Sequence, residues 1–169
     1  DPSRSQTAAV ADVFGGAGSA FYQWKKHGRC AGLSAEDYLD TARAAFDSIT
    51  LPPVFAELRK DVRLPASVVE DAFLEANPGL ARDQITITCA DGMIQEARIC
   101  LTKDLTPRRC GDDVIRDCRM KDAVMEAVAG EGPVKALMCD STNVFSTHPG
   151  RSESTLAAPL TELIKGASG

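Results

Sequence analysis

The chain has 169 residues, with 19 Lys and Arg against 24 Asp and Glu, which gives a net charge of −5 at pH 7. Hydrophobic residues make up 44% and charged residues 25%, which excludes collagen-like, coiled-coil and disordered proteins. The acidic balance argues against nucleic-acid binding through bulk charge but leaves room for a small basic site. No apolar run approaches the ~20 residues that cross a bilayer, so no membrane association is expected.

The first half of the chain predicts helices. Small and apolar residues favour a loose helix over 5–20 that ends near Gly15 and Gly16, and an aromatic-rich segment follows over 20–27. Ser34, with an acidic residue three positions later, predicts the start of another helix. Further helices are expected over 54–60, from Ser67 to about 76, and over 119–132.

Residues 84–101 change to an alternating pattern. Gln84 to Cys89 and Met93 to Leu101 are strand-like, and Asp91-Gly92 between them is a strong two-residue turn signal. Helices followed by an antiparallel β-hairpin predict an α+β fold. A strand, a loop and a helix are then expected within residues 129–169.

The cysteines indicate the compartment. Four of them fall within 30 residues, and only two histidines and no C-x-x-C pair are present. A disulfide framework in an oxidising compartment is therefore expected rather than a metal site, although buried free thiols in a cytosolic protein are the alternative. The chain opens with Asp1-Pro2-Ser3 and shows no signal peptide.

One octapeptide, residues 23–30, concentrates groups that could carry chemistry. It holds one Trp, two Lys, one His and one Arg in an acidic chain. Phosphodiester cleavage uses a His to move protons, a cation to stabilise phosphate charge and an aromatic ring to contact a base. The alternative is a solvated basic helix end, since cations favour helix C-termini.

The pattern Trp24-x-Lys26-His27-Gly28-x-Cys30 resembles the second active-site motif of the ribonuclease T2 family. Residues 96–101 resemble a late strand of that family, and four cysteines resemble its C-terminal ladder: Cys89, Cys100, Cys110 and Cys118. The resemblance covers residues 1–128. It implies a secreted or periplasmic endoribonuclease that needs no cofactor or metal and cleaves RNA through a 2′,3′-cyclic phosphate.

The resemblance also implies roles for individual residues. His27 would be the general base and Lys26 would stabilise the phosphorane. Gln23 occupies the place of a catalytic Glu, and Tyr22 replaces the His before it. Substrate contacts are expected from Trp24, which could also be a packing residue, and from Tyr22 and Lys25.

Two departures from the family pattern predict impaired activity. Gln23 cannot carry a proton, and the first active-site motif, His-Gly-Leu-Trp-Pro, is absent from this chain. The other histidine, His148, lies in an unrelated context. Because general acid and base act as a pair, we expect an N-terminally truncated copy of the domain with weak cleavage. A non-catalytic, disulfide-bonded module that binds RNA or a protein is the alternative.

Two disulfides are expected. Cys100 and Cys110 flank an excursion of about ten residues off the second hairpin strand, short enough to be bridged, and we pair Cys89 with Cys118. Such bridges typically stabilise a fold by ~2–4 kcal/mol.

Residues 129–169 form an appended segment, in which about 133–169 resemble a different family. The segment 136–143, followed by 149–154, resembles ribonuclease J and its metallo-β-lactamase relatives. Asp140 would be a zinc ligand there, but the His-x-His-x-Asp-His cluster of that family is absent, and one carboxylate cannot hold a dinuclear site. We therefore expect an appended fragment, with Asp140 as an ordinary turn residue.

Overall fold

The computed structural model describes residues 1–55 and 57–126, together with the backbone of Met138 and Cys139. Helices occupy the first part of the chain and an antiparallel hairpin follows them, so the predicted α+β fold class is confirmed. The helices are α1 (Arg4–Ala9), α2 (Ala11–Phe14), α3 (Ala17–Lys26), α4 (Ala35–Asp47) and α5 (Ala66–Ala76), with 3-10 turns at Gly28–Cys30 and Arg82–Gln84.

The helix predicted over 5–20 is divided into α1, α2 and the start of α3. Val10 ends α1 with a non-helical backbone, and Gly15 and Gly16 adopt φ values of +72° and +140° between α2 and α3. Glycine reaches such angles without the steric cost that a Cβ atom imposes. The two glycines therefore separate the helices and allow α3 to take its own direction.

Helix α4 begins where the sequence predicts. The Ser34 Oγ accepts a hydrogen bond from the Asp37 N–H at 3.0 Å, which satisfies one of the unpaired donors of the first turn. The buried side of the helix carries Tyr38, Leu39 and Ala42. Helix α5 has Pro65 at its N-cap instead of the predicted Ser67, and it ends at Ala76, where Asn77 stops it as predicted.

The sheet contains the predicted hairpin and shorter strands that come from distant parts of the chain. Its strands are β1 (Val62–Leu64), β2 (Ile85–Ala90), β3 (Met93–Leu101), β4 (Ala123–Met125) and β5 (Met138–Cys139). The order is β1-β4-β3-β2, and β5 pairs in parallel with the end of β3, where Cys100 faces Met138. In the hairpin, β2 and β3 are antiparallel and Thr86 faces Arg98.

Two predicted helices are wrong. The described residues of 54–60 form turns and irregular chain, and the described part of 119–132 contains strand β4 instead of a helix. Strand β4 pairs with β1 in antiparallel register, with Val62 opposite Met125. This pairing joins residues far apart in sequence, so tertiary contacts override the local helical pattern. The boundary expected at residue 128 and the rest of the appended segment lie outside the described residues.

Both predicted disulfides are confirmed: Cys89 is bonded to Cys118, and Cys100 to Cys110. Cys30 is exposed and carries no disulfide. The bridged segment 110–118 runs along the outer edge of β2. There the Cys118 N–H donates to the Ile87 carbonyl at 2.7 Å.

The core lies between the helices and one face of the hairpin. Its largest fully buried apolar side chains come from α4, the segment after it, α5 and the strands: Tyr38, Phe55, Leu64, Val69, Ile99 and Leu101. Phe55 and Phe73 contact each other with ring centroids 5.9 Å apart. The irregular segment before β1 is thereby packed against α5.

Glu70 on α5 gives the fold a pH dependence. Burial raises the pKa of the Glu70 carboxyl above its usual value, against the opposing attraction of Arg82, whose Nη1 lies 3.0 Å from the carboxylate. The folded state therefore binds the Glu70 proton more tightly than the unfolded chain does. The contribution of this proton to stability is full below the usual carboxyl range and is lost as the pH rises through the raised pKa.

Replacing Glu70 by Gln, which does not ionise, removes this loss. We expect Glu70→Gln to become more stable relative to the wild type as the pH rises from about 4 to about 7, so its free energy of unfolding exceeds that of the wild type by a growing amount. Urea unfolding of both proteins at each pH measures the difference. A difference that stays constant over this range would contradict the prediction.

Candidate functional site

The predicted site lies at the C-terminal end of α3 and in the 3-10 turn Gly28–Cys30 that follows it. The helix has two different sides at this point. Ala20, Gln23 and Trp24 are buried, whereas Lys25 and Lys26 are exposed. This division follows helical periodicity, because residues three and four positions apart share one face.

Trp24 is a packing residue in this structure. Its side chain is 7% exposed, and its ring meets the ring of Tyr38 edge-on at a centroid distance of 5.5 Å. The indole Nε1–H donates to Asp1 Oδ1 at 3.1 Å, so the polar end of the ring is satisfied. These contacts favour the packing role over the predicted substrate contact.

Gly28 lies directly against the indole. A Cβ atom at this position would overlap Trp24 Cε3 and lie 3.0 Å from Cζ3. Only glycine therefore permits the observed contact between the turn and the ring. The spacing of Trp24 and Gly28 in the motif thus has a steric cause.

His27 is held between the helix and the turn. Its backbone N–H donates to the Gln23 carbonyl at 2.9 Å, and its carbonyl accepts from the Cys30 N–H at 3.1 Å. Its side chain is half-buried. The backbone that carries the imidazole is therefore held by hydrogen bonds on both sides.

The cations around His27 lie on the exposed side. Lys25 Nζ is 5.7 Å from the centroid of the Phe21 ring, and Lys26 Nζ is 5.7 Å from that of Tyr22. Both lysines occupy the last turn of α3, where cations interact favourably with the helix dipole. Arg29 Nη2 forms an ion pair with Asp1 at 2.8 Å.

Gln23 faces the interior, away from these lysines. Its side chain is 8% exposed, and its Oε1 has no hydrogen-bond partner among residues 1–55 and 57–126. The predicted site is therefore divided. Tyr22, Lys25 and Lys26 are exposed to solvent, whereas Gln23 and Trp24 are buried.

Phe21, which the motif does not include, also lies on the exposed side of α3. Its ring is partly exposed beside Lys25, and the four-residue spacing to that lysine is the signal that could have identified it. Asp140 and His148 lie outside the described residues. Within residues 1–55 and 57–126, no group of three or more His, Cys, Asp or Glu side chains could hold a metal ion.

Comparisons with family models, with curated proteins and with solved structures find no match for this chain. Among the helices described above, none has the length and apolar character to cross a membrane.

Proposed function

We propose that the chain acts on RNA as a ribonuclease T2-type module, cleaving the strand by transfer to the 2′-hydroxyl and releasing a 2′,3′-cyclic phosphate without a metal. The observation that supports this most is the position of His27, half-buried and fixed between α3 and the turn, next to the exposed Lys26. A proton carrier beside a cation is the minimum that this chemistry requires. The two disulfides are compatible with the secreted or periplasmic location that we propose with it.

In this proposal the His27 imidazole accepts the proton of the 2′-hydroxyl as that oxygen attacks phosphorus. Lys26 offsets the negative charge that builds on the phosphoryl oxygens in the transition state. The bond from phosphorus to the 5′-oxygen then breaks, and that oxygen needs a proton from a general acid. Gln23 cannot supply one, and this sequence does not contain the first histidine motif of the family, so in this proposal the proton comes from solvent water. We therefore propose slow turnover.

The experiment is cleavage of a dinucleoside phosphate by the full chain, with the cyclic phosphate identified among the products. We expect slow cleavage that falls by about 10²-fold or more in His27→Ala, because the base is lost. The control is Lys60→Ala, which removes an exposed lysine outside α3 and should leave the rate unchanged.

Chelator is the second arm of this experiment. Added EDTA should leave the rate of cleavage unchanged, since no step uses a metal. Activity that survives His27→Ala, or that chelator removes, would contradict the proposal. The second of these outcomes would direct attention to Asp140 and the segment that resembles ribonuclease J.

A non-catalytic module that binds RNA or a protein is the second candidate. The burial of Gln23 favours it, because this side chain is withdrawn from the solvent side on which a substrate would bind. Binding of RNA without any cyclic phosphate product, in the wild type as in His27→Ala, would identify this second function.

A further inference from the structure

The outer face of α3 exposes two neighbouring aromatic rings. Tyr22 is 58% exposed and Phe21 is 36% exposed. In the part of the chain that the structure describes, these two and Leu33 are the large hydrophobic side chains that remain exposed. Proteins usually bury most of the surface of such rings, so two exposed rings at adjacent positions indicate a binding surface for a partner molecule.

Each ring has an ammonium group beside it. Lys25 and Lys26 lie over Phe21 and Tyr22 at the same distance, 5.7 Å, because both pairs are separated by one helical turn. Arg29, on the turn that follows, adds little to this charge because it is paired with Asp1. In a chain of net charge −5 the two lysines form a local basic surface, which fits an anionic partner.

The two features together match a single-stranded nucleic acid. Unpaired bases stack on exposed aromatic rings in a sequence-tolerant way, and the strand adds a phosphate for each base. Each ammonium group lies over a ring in the free protein, and its flexible stem lets it move to the phosphate of a nucleotide whose base stacks there. An acidic protein could form ion pairs with the lysines, but its charge would provide no stacking partner for the two rings.

We propose that this aromatic–basic face of α3, formed by Phe21, Tyr22, Lys25 and Lys26, binds single-stranded RNA by stacking unpaired bases on the two rings. This inference rests on the proposed function for its substrate class, but it does not require cleavage. It also transfers the base-stacking role from Trp24, which is buried, to Tyr22 and Phe21.

The test uses a fluorescent single-stranded 2′-deoxy oligonucleotide, which lacks the 2′-hydroxyl and so reports binding without cleavage. We expect Tyr22→Ala and Phe21→Ala each to weaken binding about 5- to 100-fold, and Tyr22→Phe to retain it. Leu33→Ala is the matched control, since it removes an exposed hydrophobic side chain that is not aromatic, and it should bind like the wild type. A duplex of the same sequence should bind less tightly, because its bases are already stacked.

Salt separates the lysines from the rings. Lys25→Gln should reduce the slope of log K against log salt by about 0.7, the value for one phosphate contact on a single strand, whereas Tyr22→Ala should leave the slope unchanged. Thermal unfolding of each variant verifies that it is folded.

Equal binding of single strand and duplex, or unchanged binding by Tyr22→Ala, would overturn the inference. Binding of an acidic protein to this face, without binding of the oligonucleotide, would also overturn the inference. Binding as expected, with no cyclic phosphate from a dinucleoside substrate, would uphold this inference and refute the proposed cleavage.

Discussion

Replacing Cys89 and Cys118 together by alanine is expected to lower the free energy of unfolding by about 2–4 kcal/mol. The bridge closes a loop between residues 29 positions apart, so its loss gives the unfolded chain considerable freedom. It also releases the segment that hydrogen-bonds along β2. Urea unfolding under non-reducing conditions measures the change.

The second bridge provides a graded comparison. Cys100 and Cys110 are only 10 positions apart, so removing this pair should cost about 1 kcal/mol less than removing the first. Cys30→Ala is the control, because this exposed thiol is not in a disulfide and its loss should change stability by less than about 0.5 kcal/mol. Equal stability of the wild type and the Cys89–Cys118 variant would refute the prediction.

Gly28→Ala is expected to destabilise the fold by about 1–3 kcal/mol, the usual range for forcing an extra carbon into a packed site. The new Cβ would overlap Trp24 Cε3, and the indole cannot simply move away because it packs on Tyr38 and is hydrogen-bonded to Asp1. The turn that follows His27 must shift instead. We therefore expect a blue- or red-shifted Trp24 fluorescence spectrum together with a lower unfolding midpoint.

Gly18→Ala is the matched control, in helix α3, which precedes the turn that contains Gly28. A Cβ there meets nothing within 4 Å, and alanine is the better helix former, so this variant should be as stable as the wild type or up to about 1 kcal/mol more stable. A Gly28→Ala protein as stable as Gly18→Ala would show that the Trp24–Gly28 contact is not tight.

The elements predicted correctly are those whose signals are local. Ser34 satisfies the first turn of α4 through its own hydroxyl, and Asp91-Gly92 sets the hairpin through its backbone angles, with φ values of +52° and +80°. Neither depends on a distant partner. The Cys100–Cys110 pairing was predictable too, because a separation of 10 positions is short enough to be bridged.

The strands that were missed depend on partners far away in sequence. Strands β1 and β4 have three residues each, too few to show a period, and each is defined by the other through the pairing of Arg63 with Val124. A propensity summed along the chain cannot detect such a contact. The same limit produced the two wrong helices, which lay in or beside these segments.

The candidate site was predicted as a stretch of sequence, and the fold divides it in two. The motif identified His27 and its neighbours, but not which side chains face the solvent. Helical spacing alone would have grouped Gln23 with Ala20 and Trp24 on one side and Phe21 with Lys25 on the other. Which of these sides is buried depends on the contact between Trp24 and Tyr38 of α4, and Tyr38 lies outside the motif.

The segment 110–118 has a consequence for how the protein behaves before its cysteines are oxidised. Strand β2 is the edge strand on one side of the described sheet. The segment covers this edge, where the Cys118 N–H donates a hydrogen bond to the Ile87 carbonyl. In the reduced chain nothing covalent would keep that segment in place. The alternating, β-branched strand 85–89 would then present an uncovered edge, the kind of surface on which chains pair with one another and aggregate. Oxidation would thus limit aggregation, and expression in a reducing cytosol should give less soluble protein than export to an oxidising compartment.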